Sequence, residues 1–471
     1  MPLPTVPLEQ LAHSSNQIAN DQSHAEPALL HRSLLSRPLE VVSASGSYLT
    51  LSSGRQILDG CAGAAVAVIG HGHPKVQQAV VEQMGAVSYV HTMSYTTSSA
   101  ERLAQFMVAK GWPFGLTKAF FVGSGSEAMD AAMKLARQYF VERGEMKRTR
   151  FVSRRQAYHG NTIGAMSVSS NLARKVPYEG ALLLDRVSFV NAANAYRGMR
   201  AGEGLKEYGE RLVEELDEEF QRIGPETVIA FIAEPVVGAT SGCVSAPHGY
   251  FEGVKRVCDK HGILLILDEV MCGTGRTGTY FAFEQEGNAA PDIVTVGKGV
   301  GGGYVPIAGM LVHGKVVEVL RGGSASFVHG QTYQAHPLSC AAALAVQEVV
   351  DGEELVPRCA RLGKLLGGML RDRFEGCKFV GDVRGRGLFW ALEFVSDRDS
   401  KSPFEASLDF GGRVQQKALD LGLAVYPGKG TADGCVGDHV LLAPPLNIRE
   451  EDLTKLVDLL KEAYDAAESS L

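Results

Sequence analysis

Two kinds of hydrophobic pattern alternate along the chain. Short runs are apolar at every position, and longer stretches carry apolar residues every three or four positions. Val228 to Ala233 and Ile263 to Leu267 are runs of the first kind, each followed directly by an acid. A segment apolar on both faces fits a strand inside a parallel sheet that is covered on both sides. Lys118 to Val122, Asp292 to Val296 and Ile307 to Val312 predict three further strands. The second kind begins at Ser126 and runs to about 143, with Ala128, Ala132, Leu135, Ala136, Tyr139 and Phe140 on one helical face. His73-Pro74 opens another helix that extends to about 85. Strands alternating with helices predict an α/β domain whose sheet is mostly parallel and covered by helices.

The pattern changes after about 350. Helices at about 353 to 374 and 408 to 421 flank a strand-like stretch from Phe379 to Phe394, and a last helix spans about 450 to 468. This predicts a smaller α+β domain. Near 40 to 60, alternation such as Tyr48-Leu49-Thr50-Leu51 predicts a small antiparallel hairpin. A chain of 471 residues exceeds what one core organises. The expected division is an N-terminal arm (1–30), a segment joining the small domain (31–90), a large domain (91–350) and a C-terminal small domain (351–471). The arm is rich in Pro, Ser, Asn and His and lacks the apolar centre of a signal peptide, so a mobile or partner-clasping role is expected.

Composition narrows the function classes. The net charge of -7 disfavours nucleic acid as a partner. No apolar run approaches the roughly 20 residues of a membrane span. The eight cysteines form no CxxC pair, which disfavours a metal site and suits free thiols in a reducing compartment, the cytoplasm.

Gly123-Ser124-Gly125-Ser126-Glu127-Ala128 lies between a strand and a helix. Glycines allow close backbone approach, and unpaired N–H groups at a helix start attract anions, so this segment suits a phosphate. It also fits the dinucleotide fingerprint G-x-G-x-x-A, and by itself it does not separate the two. The fingerprint needs an acid after the following strand, where this chain has Arg154 and Arg155. A second match, Gly297 to Gly302, precedes a strand instead of a helix. Asp268 ends an apolar strand, where ligands of parallel sheets collect. An isolated aspartate there more often caps a helix or pairs with a cation, but it also suits a protonated ring nitrogen. Lys298 follows another apolar strand and is flanked by Gly297, Gly299 and Gly301, which leave room for a bulky group. Lysines with lowered pKa form Schiff bases.

These segments resemble the class III (omega-type) aminotransferases, fold type I enzymes dependent on pyridoxal 5′-phosphate (PLP). The resemblance rests on Gly70-His71-Gly72-His73-Pro74, Ser124-Gly125-Ser126-Glu127-Ala128, Tyr158-His159-Gly160, Glu234-Pro235-Val236, Leu267-Asp268-Glu269-Val270, Gly275-Arg276-Thr277-Gly278, Gly297-Lys298-Gly299, Gly330-Gln331-Thr332-Tyr333 and Ala443-Pro444-Pro445-Leu446. It covers roughly residues 40 to 465. It implies that Lys298 holds PLP as a Schiff base and later carries a proton, and that Asp268 pairs with the pyridine nitrogen. It further implies that Ser124, Gly125 and Ser126 bind the phosphate, that Tyr158 and Val270 cover the two ring faces, that Glu234 lies near the cofactor in a polar network, and that His159, also counted with the cofactor-binding residues, is structural rather than catalytic. Thr332 resembles the residue that reaches the phosphate from the neighbouring subunit of a homodimer. The implied activity is transfer of an amino group from an amine or amino acid to a keto acid by a ping-pong mechanism. The alternative within the family is an amino-acid epimerase or aminomutase.

The chain also departs from some relatives. Members acting on ornithine or γ-aminobutyrate carry a glutamate where this chain has Ala239, and it pairs with an arginine ahead of the Pro-Pro motif. Here no arginine occurs between Arg413 and Arg449. Both halves of that gate are missing, and Ala64 and Ala65 stand where other members have an aromatic, so a bulky or extended donor is expected. The acceptor carboxylate still needs a cation, for which Lys429 is the first candidate and Arg276 the second.

Overall fold

The computed structural model describes residues 28–287 and 289–471. The arm assigned to residues 1–30 therefore lies almost wholly outside the described residues.

A seven-stranded sheet forms the centre of the larger part. Its spatial order is Leu116–Val122, Ala308–His313, Ile293–Val296, Leu264–Asp268, Val228–Ala233, Arg150–Arg154 and Val187–Val190. The last five strands run parallel, whereas Ala308–His313 is antiparallel to both of its neighbours. Its reversal has a local cause. Only a single 3₁₀ turn, Lys298–Val300, lies between it and Ile293–Val296, and a parallel return would need a crossover element. Val228–Ala233 and Leu264–Asp268 are buried at every position, as a doubly covered sheet requires. Alternation assigns their side chains to the two faces. Ile232, Leu264 and Ile266 pack with Met129, Ala132 and Phe140 of the helix Gly125–Glu142. Phe231, Leu265 and Leu267 pack on the other face with Leu212, Phe220 and Phe251.

The C-terminal part holds a four-stranded antiparallel sheet in the order Val380–Arg386, Phe389–Phe394, Asp438–Leu442 and Tyr426–Lys429. Helices Leu355–Phe374, Phe410–Asp420 and Glu450–Glu468 accompany it. The hairpin expected near 40 to 60 is one piece of a larger unit. Strands Val41–Ser45, Tyr48–Leu51 and Gln56–Asp59 are joined by Leu423–Ala424, which pairs parallel with the third. Leu58, Val68 and Ile69 accordingly share a core with Leu362, Leu392, Leu442 and Leu456. The helix Leu205–Ile223 was not anticipated, although Tyr208, Leu212, Leu216 and Phe220 bury one face at four-residue spacing.

Candidate active site

The carboxyl ends of the central strands open on a cavity of about 300 Å³. Its wall includes Ser124, Gly125, Ser126, Tyr158, His159, Glu234, Asp268, Val270 and Lys298. These are all the anticipated site residues except Thr332, and they come from five separate segments of the chain.

The helix Gly125–Glu142 starts at the cavity. Ser124 caps it by accepting from the Glu127 amide at 3.3 Å, and the Glu127 carboxylate accepts from the Gly123 amide at 2.9 Å. The amides of Gly125 and Ser126 have no intrahelical acceptor, so this turn offers donors to an anion. A Cβ at Gly125 would lie 2.8 Å from Val270 Cγ1, so only glycine allows Val270 to cross this point.

Asp268 is 4% exposed and fixed from three sides. Oδ1 accepts from the Val270 amide and the Thr295 hydroxyl, each at 3.1 Å, and Oδ2 lies 2.8 Å from His159 Nδ1. His159 is itself buried, and its Nε2 lies 3.2 Å from Ser153 Oγ. Ser153, His159 and Asp268 thus form a relay that fixes the carboxylate's orientation. Glu234 accepts from the amides of Tyr158 at 3.0 Å and Gly238 at 3.2 Å. Burial pushes its carboxyl above the ordinary range, opposed by the His159 ring beside it.

Lys298 begins the 3₁₀ turn after its strand with φ +43°, a backbone region that a residue with a side chain seldom adopts. It is open to the cavity but otherwise enclosed by protein. That burial holds its amine down to about 8, opposed by Glu234 and Asp268. Among the described residues it forms no ion pair. The flanking glycines do not open space for a ligand as expected. A Cβ at Gly299 would stand 2.9 Å from Val68 Cγ1 and one at Gly301 2.6 Å from Ile307 Cγ2, so both accommodate protein side chains.

The segment containing Ala64 and Ala65 reaches the cavity through Val66 instead. Ala65 is buried against Met271 and Phe389 in a neighbouring cluster. Met271, Val305, Pro306 and Ile307 also line the cavity and were not anticipated. Met271 directly follows a motif residue and Val305 to Ile307 precede a strand, so their positions at strand ends were the available signal. Ala239, at the position of the missing gate glutamate, lies on the wall as well.

Residues 32–464 match the class-III aminotransferase family. The chain belongs to that family. It is a PLP-dependent transaminase of fold type I. An aminotransferase of Gibberella zeae is 43% identical over 96% of this chain and 89% of its own length. An uncharacterised aminotransferase of Schizosaccharomyces pombe is also 43% identical, over 96% of this chain and 98% of its own. Among solved structures, the PLP-bound amine transaminase of an uncultivated Pseudomonas species is 31% identical and superposes with a TM-score of 0.86 over 96% of this chain and 99% of that one.

Lys429 lies away from the cavity that it was expected to serve, whereas Thr332 was expected to serve the neighbouring subunit's site. Thr332 sits exposed in a turn of the single chain. Lys429 pairs with Asp409 at 2.9 Å and does not line the cavity, because the antiparallel pairing of Tyr426–Lys429 with Asp438–Leu442 places it at that strand's far end. Arg276 is fully buried and donates to the carbonyls of Leu388 at 3.1 Å and Pro444 at 2.5 Å. No helix among the described residues is long and apolar enough to cross a membrane.

Proposed function

We propose that this transaminase binds PLP through Lys298 and transfers an amino group from an amine or amino acid to a keto acid in ping-pong fashion. The observation that supports it is one cavity holding a half-buried lysine with no ion-pair partner among the described residues, a fixed carboxylate and the start of a helix. The first turn of Gly125–Glu142 suits the phosphate. Tyr158 and Val270 suit the two ring faces, and Asp268, oriented by His159 and Thr295, suits the ring nitrogen. When bound, PLP supplies an electron sink for the carbanion formed at the substrate carbon. Lys298, with an amine held near 8, is poised to exchange protons at neutral pH. Screening amine donors against pyruvate and 2-oxoglutarate, with both products measured, tests this reading and separates transfer from isomerisation. Eight free thiols fit a reducing compartment, and we place the enzyme in the cytoplasm.

The donor we propose is bulky or extended. Val66, Ala239, Met271, Val305 and Ile307 give this wall an apolar surface without the gate's charged pair. A charge-assisted contact contributes roughly 1.5–3 kcal/mol, so kcat/KM for γ-aminobutyrate and ornithine should fall about tenfold or more below that of a bulky amine. Finding either of them to be the best donor would refute this.

We also propose a homodimer with shared sites. Tyr333 and Val328, near Thr332, are 67% and 71% exposed, and Tyr333 lies edge-on to the exposed Tyr89. Such an apolar patch fits a subunit interface. Sedimentation should give dimers, and mixing Lys298→Ala with Thr332→Ala chains should restore part of the activity that each lacks alone. Fully active monomers would exclude this arrangement.

A further inference from the structure

A keto-acid acceptor brings a carboxylate into a cavity that already holds Asp268 and Glu234. Among the described residues Lys298 is the one lysine or arginine on its wall, and it belongs to the reacting end. Arg276 is fully buried off this wall and gives only Nη1 to backbone carbonyls, and Lys429, also off the wall, pairs with Asp409. Some other cation has to meet the carboxylate.

Arg174 has the required properties. It lies on the short helix Leu172–Lys175, and its guanidinium sits 5.0 Å from the centroid of the Tyr158 ring, which lines the cavity. Among the described residues no carboxylate lies within ion-pair distance of it. Its backbone is nonetheless held. Asn171 caps the Arg174 amide at 3.4 Å, and the buried Lys175 donates to the carbonyls of Ser167 at 3.1 Å and Ser169 at 2.8 Å. The half-buried guanidinium is therefore fixed at its root and free at its fork. Stacking on a phenol ring leaves the N–H edge of an arginine available, and that edge matches a carboxylate in two parallel hydrogen bonds.

We infer that Arg174 binds the carboxylate of the acceptor and thereby selects 2-keto acids over uncharged carbonyl compounds. This rests on the aminotransferase reading above. It makes Arg174, which stands beside Tyr158 and is not itself on the cavity wall, a specificity-determining residue that the acceptor carboxylate meets past the Tyr158 ring.

The test compares wild-type and Arg174→Gln holoenzymes with one uncharged amine donor and two acceptors of similar size, pyruvate and propanal. The expected result is a KM for pyruvate raised about tenfold or more, with kcat and KM for propanal within about twofold of wild type. Equal losses with both acceptors would overturn the inference, because Arg174 would then act by holding Tyr158. An unchanged pyruvate KM would overturn it as well. Calorimetric titration of the PLP form with pyruvate, which has no amino group to give, provides a second readout. Its Kd should weaken by a similar factor, and an unchanged Kd would overturn the inference. A wild type that transfers to none of pyruvate, 2-oxoglutarate and propanal would sink the proposed transfer reaction, and the titration would still decide the role of Arg174.

Discussion

Lys298→Ala is expected to lower transamination roughly 10³-fold or more, because one side chain supplies both covalent attachment and proton transfer. The variant should still take up PLP, since the helix start at Gly125 and Ser126 and the carboxylate of Asp268 do not depend on the lysine. In the wild type, borohydride should fix the cofactor to Lys298, and peptide mapping that found it on another lysine would refute the assignment. The amine also sets a pH dependence. Burial lowers it to about 8, so the neutral, nucleophilic form gains population as pH rises through that value. Reconstitution of the apoenzyme with PLP should therefore quicken up to about pH 8 and level off above it. A midpoint near the ordinary lysine value of about 10.4 would show that the amine is solvated instead.

The chemistry was legible wherever one short segment carries it. The strand, glycine turn and helix around Gly125 form a local unit, and Asp268 stands out because five apolar residues precede it. The continuous runs at Val228 and Leu264 revealed the sheet, since each position must bury whichever way it points. What stayed hidden depends on residues distant in the chain. His159 lies 109 positions from Asp268, and no periodicity links them. Leu423–Ala424 is too short to register as a strand until it pairs with Gln56–Asp59. Lys429 looked available because its partner Asp409 sits on another element. The glycines around Lys298 were expected to leave room for a bulky ligand group, but the fold shows that Val68 and Ile307 occupy the space. Replacing Ala64 and Ala65 by Val66 on the cavity wall is a shift of one or two residues through a bend where Ala62 and Ala65 both take positive φ, which no pattern of types predicts.

Asp268→Asn is expected to lose roughly 10²- to 10³-fold in kcat, the scale on which a preorganised electrostatic contact acts. The substitution keeps the shape and removes the charge. A carboxylate opposite a ring nitrogen favours the protonated ring, and an amide does not. The neighbours of Asp268 make the loss specific. Oδ1 is held by the Val270 amide and the Thr295 hydroxyl, functions that the asparagine oxygen can keep, so the fold and melting temperature should change little. Asp268→Ala should cost about 1–3 kcal/mol of stability in addition, because His159 Nδ1 and the Thr295 hydroxyl would lose their buried acceptor. His159→Ala should show the milder form of the same defect, since the charge remains and only its orientation loosens. The kcat of Asp268→Asn should therefore be close to that of Asp268→Ala, and both should lie far below that of His159→Ala, whereas stability separates the two aspartate variants. Thermal melts and steady-state rates on the three proteins measure both orders. Activity of Asp268→Asn within a few-fold of wild type would mean that the carboxylate's charge is not what the reaction uses, and Asp268 would then serve only to tie His159 to the end of the strand.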